Sequence, residues 1–313
     1  SYEITHDAYN RIKVMETNSY FIKLASMCIQ WLFPLATLAI FGSVFVGIQV
    51  VGWLVAIIVI GVIGMLPAIF VKEQGVENNK QLPKSASVIG NIKIISKVPL
   101  MKLIYSLVFI QVGLAAYAAK MDYYVLVYYM FDGNISEGAI WKAVLSMGYA
   151  VIAAIYIPIV SWLSRSFGKI QTLKFIFTIT AIGGLCKWFI YIPGVKWLLL
   201  LDPILCSAVW TSMTIIIPAI VAEASDKNSE KSEVCRAGGF AALHHWIFAF
   251  SVMFALLISG ISLNVIGFDA NLGSSQSLDS LQLMKIILTL GTIFPSLTAV
   301  IVLSRFQKKH QID

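Results

Sequence analysis

Residues 48–71 read IQVVGWLVAIIVIGVIGMLPAIFV, and none of these 24 residues is charged. Residues 72–101 follow as KEQGVENNKQLPKSASVIGNIKIISKVPLM, with five lysines and two glutamates. The hydrocarbon core of a bilayer takes about 20 apolar residues of helix. The first stretch therefore predicts a transmembrane helix, and the second predicts a polar linker at one face of the membrane.

The whole chain has the composition of a membrane protein. Of its 313 residues, 58% are hydrophobic and 12% are charged, whereas soluble domains carry about 25% charged residues. Lipid offers no partners to backbone groups, so long apolar runs must be helical. The predicted fold class is all-α integral membrane protein with eight transmembrane helices, at residues 19–43, 48–71, 102–131, 140–163, 171–192, 197–222, 237–262 and 282–304.

Composition and motifs argue against several other functions. A net charge of +7 suggests nucleic acid binding in a soluble protein, but membrane proteins concentrate lysine and arginine in cytoplasmic loops. The four cysteines form no CxxC motif, so neither a disulfide framework nor a zinc site is predicted. Walker A, GxSxG, HExxH and GxGxxG motifs do not occur. We therefore expect no enzyme activity, bound metal, organic cofactor or nucleic acid partner.

The basic residues predict the orientation of the helices. With the N-terminus in the cytoplasm, the cytoplasmic ends hold Arg11, Lys13, Lys23, Lys72, Lys80, Lys84, Lys93, Lys97, Lys102, Arg165, Lys169, Lys174, Lys227, Lys231, Arg236, Arg305, Lys308 and Lys309, which are 18 of the 23 basic residues. The other face receives only Lys142, Lys187, Lys196 and Lys285. This asymmetry predicts that both termini are cytoplasmic.

The linker divides the predicted helices into two and six. Six helices after a long cytoplasmic linker are typical of one half of a twelve-helix transporter of the major facilitator type. We therefore expect about four further helices upstream. The predicted organisation is a cytoplasmic segment at 1–18, the last two helices of an N-terminal bundle at 19–71, the cytoplasmic linker at 72–101, a C-terminal six-helix bundle at 102–304 and a cytoplasmic tail at 305–313.

Short motifs along the whole chain carry a family resemblance. They are Tyr2-Glu3-Ile4-Thr5 with Arg11, Pro67 with Val71-Lys72-Glu73, Ser164-Arg165-Ser166-Phe167-Gly168-Lys169, the set Pro218, Glu223, Asp226, Arg236 and Gly238, and Gly260 with Gly267-Phe268. In order and spacing they resemble the glycoside–pentoside–hexuronide:cation symporters, the melibiose-permease group of the major facilitator superfamily. The resemblance implies alternating-access symport of a sugar, glycoside or uronide with H⁺ or Na⁺. We expect a lipid-embedded monomer in the cytoplasmic membrane.

Three positions depart from the pattern of that family. Asn18 stands where its sugar permeases place a substrate-contacting arginine, Ala249 where helix eleven often has a lysine, and Glu223 where an aspartate is usual. Loss of a fixed positive charge at Ala249 lets a facing carboxylate protonate more readily. The resemblance with this departure favours H⁺ over Na⁺ as the coupling ion.

Two charged residues, Lys120 and Asp122, interrupt the span predicted at 102–131. A charge at the bilayer centre costs about 3 kcal/mol on insertion scales, so these side chains should face the bundle interior or a wet cavity. Residues two apart on a helix are separated by about 200°, so the two cannot pair with each other. Each is a candidate for the substrate path, and the alternative is structural pairing with a neighbouring helix. Lys142, Lys187 and Lys285 are instead interpreted as interfacial anchors.

The histidine pair His244-His245 lies inside the predicted span at 237–262. Histidine can shuttle protons near neutral pH, although packing is the commoner role. His245 shares a helix face with Ala249, whose position the family resemblance places at the cavity. His245 is therefore the better candidate for the substrate path.

Aromatic and charged residues complete the candidate set. Tyr123, Tyr124 and Trp210 can stack on sugar rings, with packing as the alternative. A charged cluster at the cytoplasmic ends is interpreted as a gate that changes partners between transport states, or as a solvated surface. Its members are Arg165, Glu223, Asp226 and Arg236.

Two further functions remain open from the sequence. One is a carrier of lipid or another amphiphile with the same fold. The other is a membrane-embedded enzyme that uses His244 and His245, and it requires a second polar catalytic group within reach of a histidine.

Overall fold

The computed structural model describes residues 8–30, 32, 39–42, 44–70, 88–232 and 236–310, and their regular structure is helical throughout. Within these residues, seven helices are long and apolar enough to cross a membrane: Phe45–Leu66, Pro99–Met130, Ile140–Phe167, Lys169–Ile190, Lys196–Glu230, Ala237–Val265 and Leu278–Lys309. The predicted all-α membrane fold is confirmed. The chain divides into two compact units, one formed by Ser1–Lys23 with Ala86–Asp313 and the other by Leu24–Ser85.

The first helix begins earlier than the predicted span at 19–43. Helix α1 comprises Ala8–Gln30, and Ile12 and Met15 near its start are buried in the core of the larger unit. Residues 31, 33–38 and 43 lie outside the described part of the chain. The assignment of residues 19–71 to a separate N-terminal bundle stays a prediction.

Within its described residues, the smaller unit contains one long apolar helical stretch. Helix α2, Val44–Leu54, continues through a π-helical segment at Val55–Ile63 into α3, Gly64–Phe70. No side chain of the π-helical segment is buried within the protein, as expected for a helix that lipid surrounds. Residues 72–87 of the predicted linker lie outside the described residues, and 88–101 are described.

The larger unit continues with a short helix, α4, at Val88–Ile95 and a broken helix at Pro99–Met130. The broken helix consists of α5 at Pro99–Val108, α6 at Ala116–Ala119 and α7 at Met121–Tyr124, with π-helical segments at Phe109–Ala115 and Val125–Met130. Five long helices follow: α8 at Ile135–Phe167, α9 at Lys169–Ile190, α10 at Leu201–Ser232, α11 at Ala237–Val265 and α12 at Leu278–His310.

These helices extend beyond the apolar runs because local capping determines where they begin and end. The Asn134 side chain accepts a hydrogen bond from the backbone N–H of Glu137 at 3.1 Å, which starts α8 before the apolar residues. Gly168 has a φ of +82° and allows the chain to turn from α8 into α9. Hydropathy alone does not register either signal.

Helix α9 packs between α10 and α12 through two adjacent glycines. A Cβ atom on Gly183 would lie 2.9 Å from Cys206 Sγ on α10, and one on Gly184 would lie 2.9 Å from Ile293 on α12. Small residues permit such close helix contacts in membranes. Helices α8 to α12 alternate in direction, so Arg165, Lys169 and Lys227 share one end of the bundle. We call this the basic end and the other the opposite end.

Candidate functional site

Asp122 on the broken helix forms an ion pair with Lys142 of α8. The side chains are 14% and 35% exposed, respectively, so the pair is only partly covered. An intramembrane carboxylate requires such compensation. Lys142 is therefore not a simple interfacial anchor, because it neutralises Asp122 from the neighbouring helix.

Lys120 has the opposite surroundings. The side chain is exposed, and within the described residues its ammonium group has no hydrogen-bond or ion-pair partner. Ala118, Met121 and Val125, on the other side of the broken helix, are completely buried. The expectation that Lys120 and Asp122 do not pair with each other agrees with this geometry, but the substrate-path role of either residue stays a prediction.

A second ion pair lies wholly inside the bundle. Lys187 Nζ on α9 lies 2.8 Å from Asp202 Oδ1 on α10, and the Tyr191 hydroxyl donates to Asp202 Oδ2 at 3.1 Å. Lys187 is 4% exposed and Asp202 1% exposed. The interpretation of Lys187 as an interfacial anchor is therefore wrong. Asp202 was not among the predicted site residues. A lone carboxylate in the apolar run 197–222 nevertheless indicates a buried partner of opposite charge.

Lys285 on α12 is also buried. Its ammonium group lies 4.8 Å from the ring centre of Trp188 and 4.9 Å from that of Tyr129. Two aromatic faces stabilise the cation at this position. Lys285 is thus held inside the bundle instead of extending to the interface as expected.

The aromatic candidates differ in their surroundings. The Tyr124 ring packs edge-on to Phe268 at 5.1 Å, and Tyr123 packs edge-on to Tyr124 at 5.8 Å. Trp210 is half-buried and packs against the larger core. Tyr124 and Trp210 therefore take part in packing, while Tyr123 lies three residues from Lys120 on the same side of the broken helix.

The two histidines of α11 have different surroundings. His244 is 8% exposed, and its Nδ1 atom has no hydrogen-bond partner in the described residues. His245 is exposed, and its Nδ1 atom lies 3.1 Å from the Ala241 carbonyl oxygen. Ala249 is exposed on the same helix.

Lys120 and Ala249 lie at different heights in the bundle. The broken helix and α11 run in parallel, because Phe109 contacts Phe250 with ring centres 6.4 Å apart and Tyr117 bonds Ser262 at 3.0 Å. Ala249 is therefore near the level of Phe109, 11 positions before Lys120. On the regular helix α11, Ser262, which is level with Tyr117, lies 13 positions after Ala249, or roughly 20 Å at 1.5 Å per residue. Lys120 cannot take the place of a cation at Ala249.

Helix α1 contacts the bundle through two polar pairs. Arg165 of α8 donates to the Glu16 carboxylate at 3.1 Å, and the Ser19 hydroxyl donates to Thr214 of α10 at 3.0 Å. Asn18, between them in the sequence, is exposed. The first pair lies at the basic end, and the second lies about one turn deeper.

The remaining gate candidates are engaged in charged contacts at the same end. The Glu223 carboxylate lies 2.8 Å from both Lys169 and Lys227. Arg236 donates to Asn228 at 3.3 Å, and Asp226 lies two residues before Asn228 on α10. These contacts place charged and polar groups together at the basic end, as a gate or a solvated surface requires. Within the described residues, no group of three His, Cys, Asp or Glu side chains is placed to hold a metal ion.

Within the described residues, six apolar spans in one helical unit, with ionisable side chains on and between them, define a multi-pass membrane protein. The family model described as MFS/sugar transport protein matches residues 1–308. The chain belongs to this family and is a transporter protein, not an enzyme. No curated protein sequence matches the chain.

Proposed function

We propose that the protein is a cation-coupled symporter of a sugar, glycoside or uronide, related to the melibiose-permease group. The observation that carries the alternating-access part of this proposal is the contact of α1 with α8 and α10. Glu16–Arg165 and Ser19–Thr214 join a segment before the linker to the bundle after it. Such contacts at one end, which break when that end opens, are typical of transporters that alternate between two states.

The proposal includes the orientation and the coupling ion. The excess of lysine and arginine at the basic end supports a cytoplasmic location for that end and for both termini. Histidine is a common proton carrier in proteins, His245 is exposed on α11, and an alanine at position 249 leaves no fixed cation there. We infer H⁺ as the coupling ion, with Na⁺ as the alternative.

Cross-linking the intact protein tests alternating access. Ser19 and Thr214 are short side chains with oxygens 3.0 Å apart, so cysteines at both positions should form a disulfide without large backbone shifts. Oxidation of the Ser19→Cys/Thr214→Cys variant should abolish sugar uptake, and reduction should restore it, because transport requires this contact to open. Each single cysteine variant serves as the control.

Undiminished uptake by the fully cross-linked variant would contradict alternating access at this contact. An amphiphile carrier of the same fold predicts uptake of lysolipid instead of sugar by the reduced protein. The same preparation therefore distinguishes the two candidate solute classes.

A further inference from the structure

Lys120 is a cation in a part of the membrane where exposure to lipid is costly. It lies 10 residues before Met130, the end of the broken helix, and the last six of those residues are π-helical. The Cα–Cβ bonds of a helix tilt toward its N-terminus, which here is deeper in the membrane. The side chain is therefore poorly directed to reach the nearer interface, and a wet cavity is the more favourable surrounding for its charge.

The other face of the broken helix indicates where this cavity lies. Ala118 contacts Gly291 of α12 so closely that Gly291 has no room for a Cβ atom. Lys120 lies about 200° around the helix from Ala118. The ammonium group therefore extends away from α12, on a side that it shares with Ala116, Ala119 and Tyr123.

The charges around Lys120 leave one positive charge uncompensated. Asp122, the nearest carboxylate along the chain, is neutralised by Lys142. Lys187 and Asp202 form a separate pair that is also neutral. Among the described residues, no carboxylate remains within contact of Lys120.

Lys120 and its neighbours form a group suited to a sugar with an acidic substituent. Ala116 and Ala119 have small, half-buried side chains on the same side of the helix as the lysine. Tyr123 is half-buried and presents a ring on the same side of the helix. An aromatic ring can pack against the apolar face of a sugar, while a few placed polar groups fix its orientation.

We infer that the transported solute is an anionic sugar, whose carboxylate pairs with the Lys120 ammonium group while the sugar ring packs beside Tyr123. This inference rests on the proposed sugar-transport function and deepens it. The charge-assisted hydrogen bond between ammonium and carboxylate is among the stronger polar contacts in a protein site. A neutral sugar leaves the Lys120 charge without a partner.

Binding of matched probes to the intact, purified protein tests the inference. The para-nitrophenyl β-glucuronide and β-glucoside differ only in a carboxylate, and the galactose-derived pair covers the other common epimer. We expect the glucuronide or galacturonide to bind at least about tenfold more tightly than its neutral partner. Lys120→Gln should remove this difference and leave the neutral probe within about twofold of wild type. Lys120→Arg should retain most of the difference.

Lys196→Gln is the matched control, because Lys196 lies at the opposite end and pairs with Glu137 at 3.5 Å. It should leave both probes unaffected if the effect at Lys120 is local. Equal binding of acidic and neutral probes by the wild type overturns the inference and leaves the sugar-transport proposal intact. Equal weakening of acidic and neutral probes by Lys120→Gln also overturns the inference and leaves the sugar-transport proposal intact. This result is expected if Lys120 pairs with a protein carboxylate outside the described residues. If no probe of either pair binds, the sugar-transport proposal fails as well.

Discussion

The Lys187–Asp202 pair is the most deeply buried pair of charges in the described part of the bundle. Each ion loses its hydration there, and the attraction between them offsets that loss only while both are present. Tyr191 adds a hydrogen bond to the carboxylate. The pair therefore holds α9 and α10 in a fixed register. The main reason is that separating the two buried charges would leave each without compensation.

Removing one partner should destabilise the protein far more than removing both. We expect Asp202→Asn to lower the free energy of unfolding by about 3–5 kcal/mol, because it leaves Lys187 buried without a counter-charge. The double variant Lys187→Met/Asp202→Leu should remain close to wild type. Thermal unfolding of the purified protein measures both. An Asp202→Asn variant as stable as wild type would show that the pair contributes little.

At the level of single residues, sequence reasoning identified charges but not their partners. Lys120 and Asp122 stood out because charges interrupt an apolar span. The partner of Asp122 is on another helix, and only the packing of α8 brings Lys142 to it. The anchor role predicted for Lys187 is wrong for the same reason. A lysine near the end of a span can either extend to the interface or pair with a carboxylate inside the bundle, and the sequence does not distinguish the two.

At the level of helices, the apolar runs located all seven described spans, with every end within five residues except that of Lys196–Glu230, which was predicted at 222. The sequence did not predict the π-helical segments at Phe109–Ala115 and Val125–Met130. Such segments leave the apolar pattern of the sequence unchanged, so hydropathy does not detect them. Nor did hydropathy predict the start of α1 at Ala8, because residues 8–18 are largely polar.

The two ends of α12 should lie on different sides of the membrane. Leu272, in the connection before α12, is 49% exposed, and Lys308 is exposed at its other end. In a variant without native cysteines, a membrane-impermeant thiol reagent should label Leu272→Cys in intact cells. Lys308→Cys should react only after permeabilisation, because the basic end is expected in the cytoplasm. The reverse pattern would invert the proposed orientation.

For the whole molecule, the composition and the order of the motifs were sufficient to predict a transporter, and the match of the family model over residues 1–308 establishes that class. The identity of the solute depends on a few side chains in a cavity, and the coupling ion depends on protonation of individual groups. Neither property leaves a periodic pattern in the sequence. The assignment to the melibiose-permease group and to H⁺ coupling therefore stays a prediction.

Gradient-driven uptake tests the central claim most directly. The intact protein, reconstituted into proteoliposomes, is offered a panel of radiolabelled neutral and acidic sugars under an imposed pH gradient or an imposed Na⁺ gradient. We predict accumulation of a sugar above its external concentration when the outside is acidic, and its loss on addition of a protonophore. His245→Ala should reduce this accumulation. Uptake driven by the Na⁺ gradient alone would refute H⁺ coupling, and no sugar accumulation under either gradient would contradict the assignment as a cation-coupled sugar symporter.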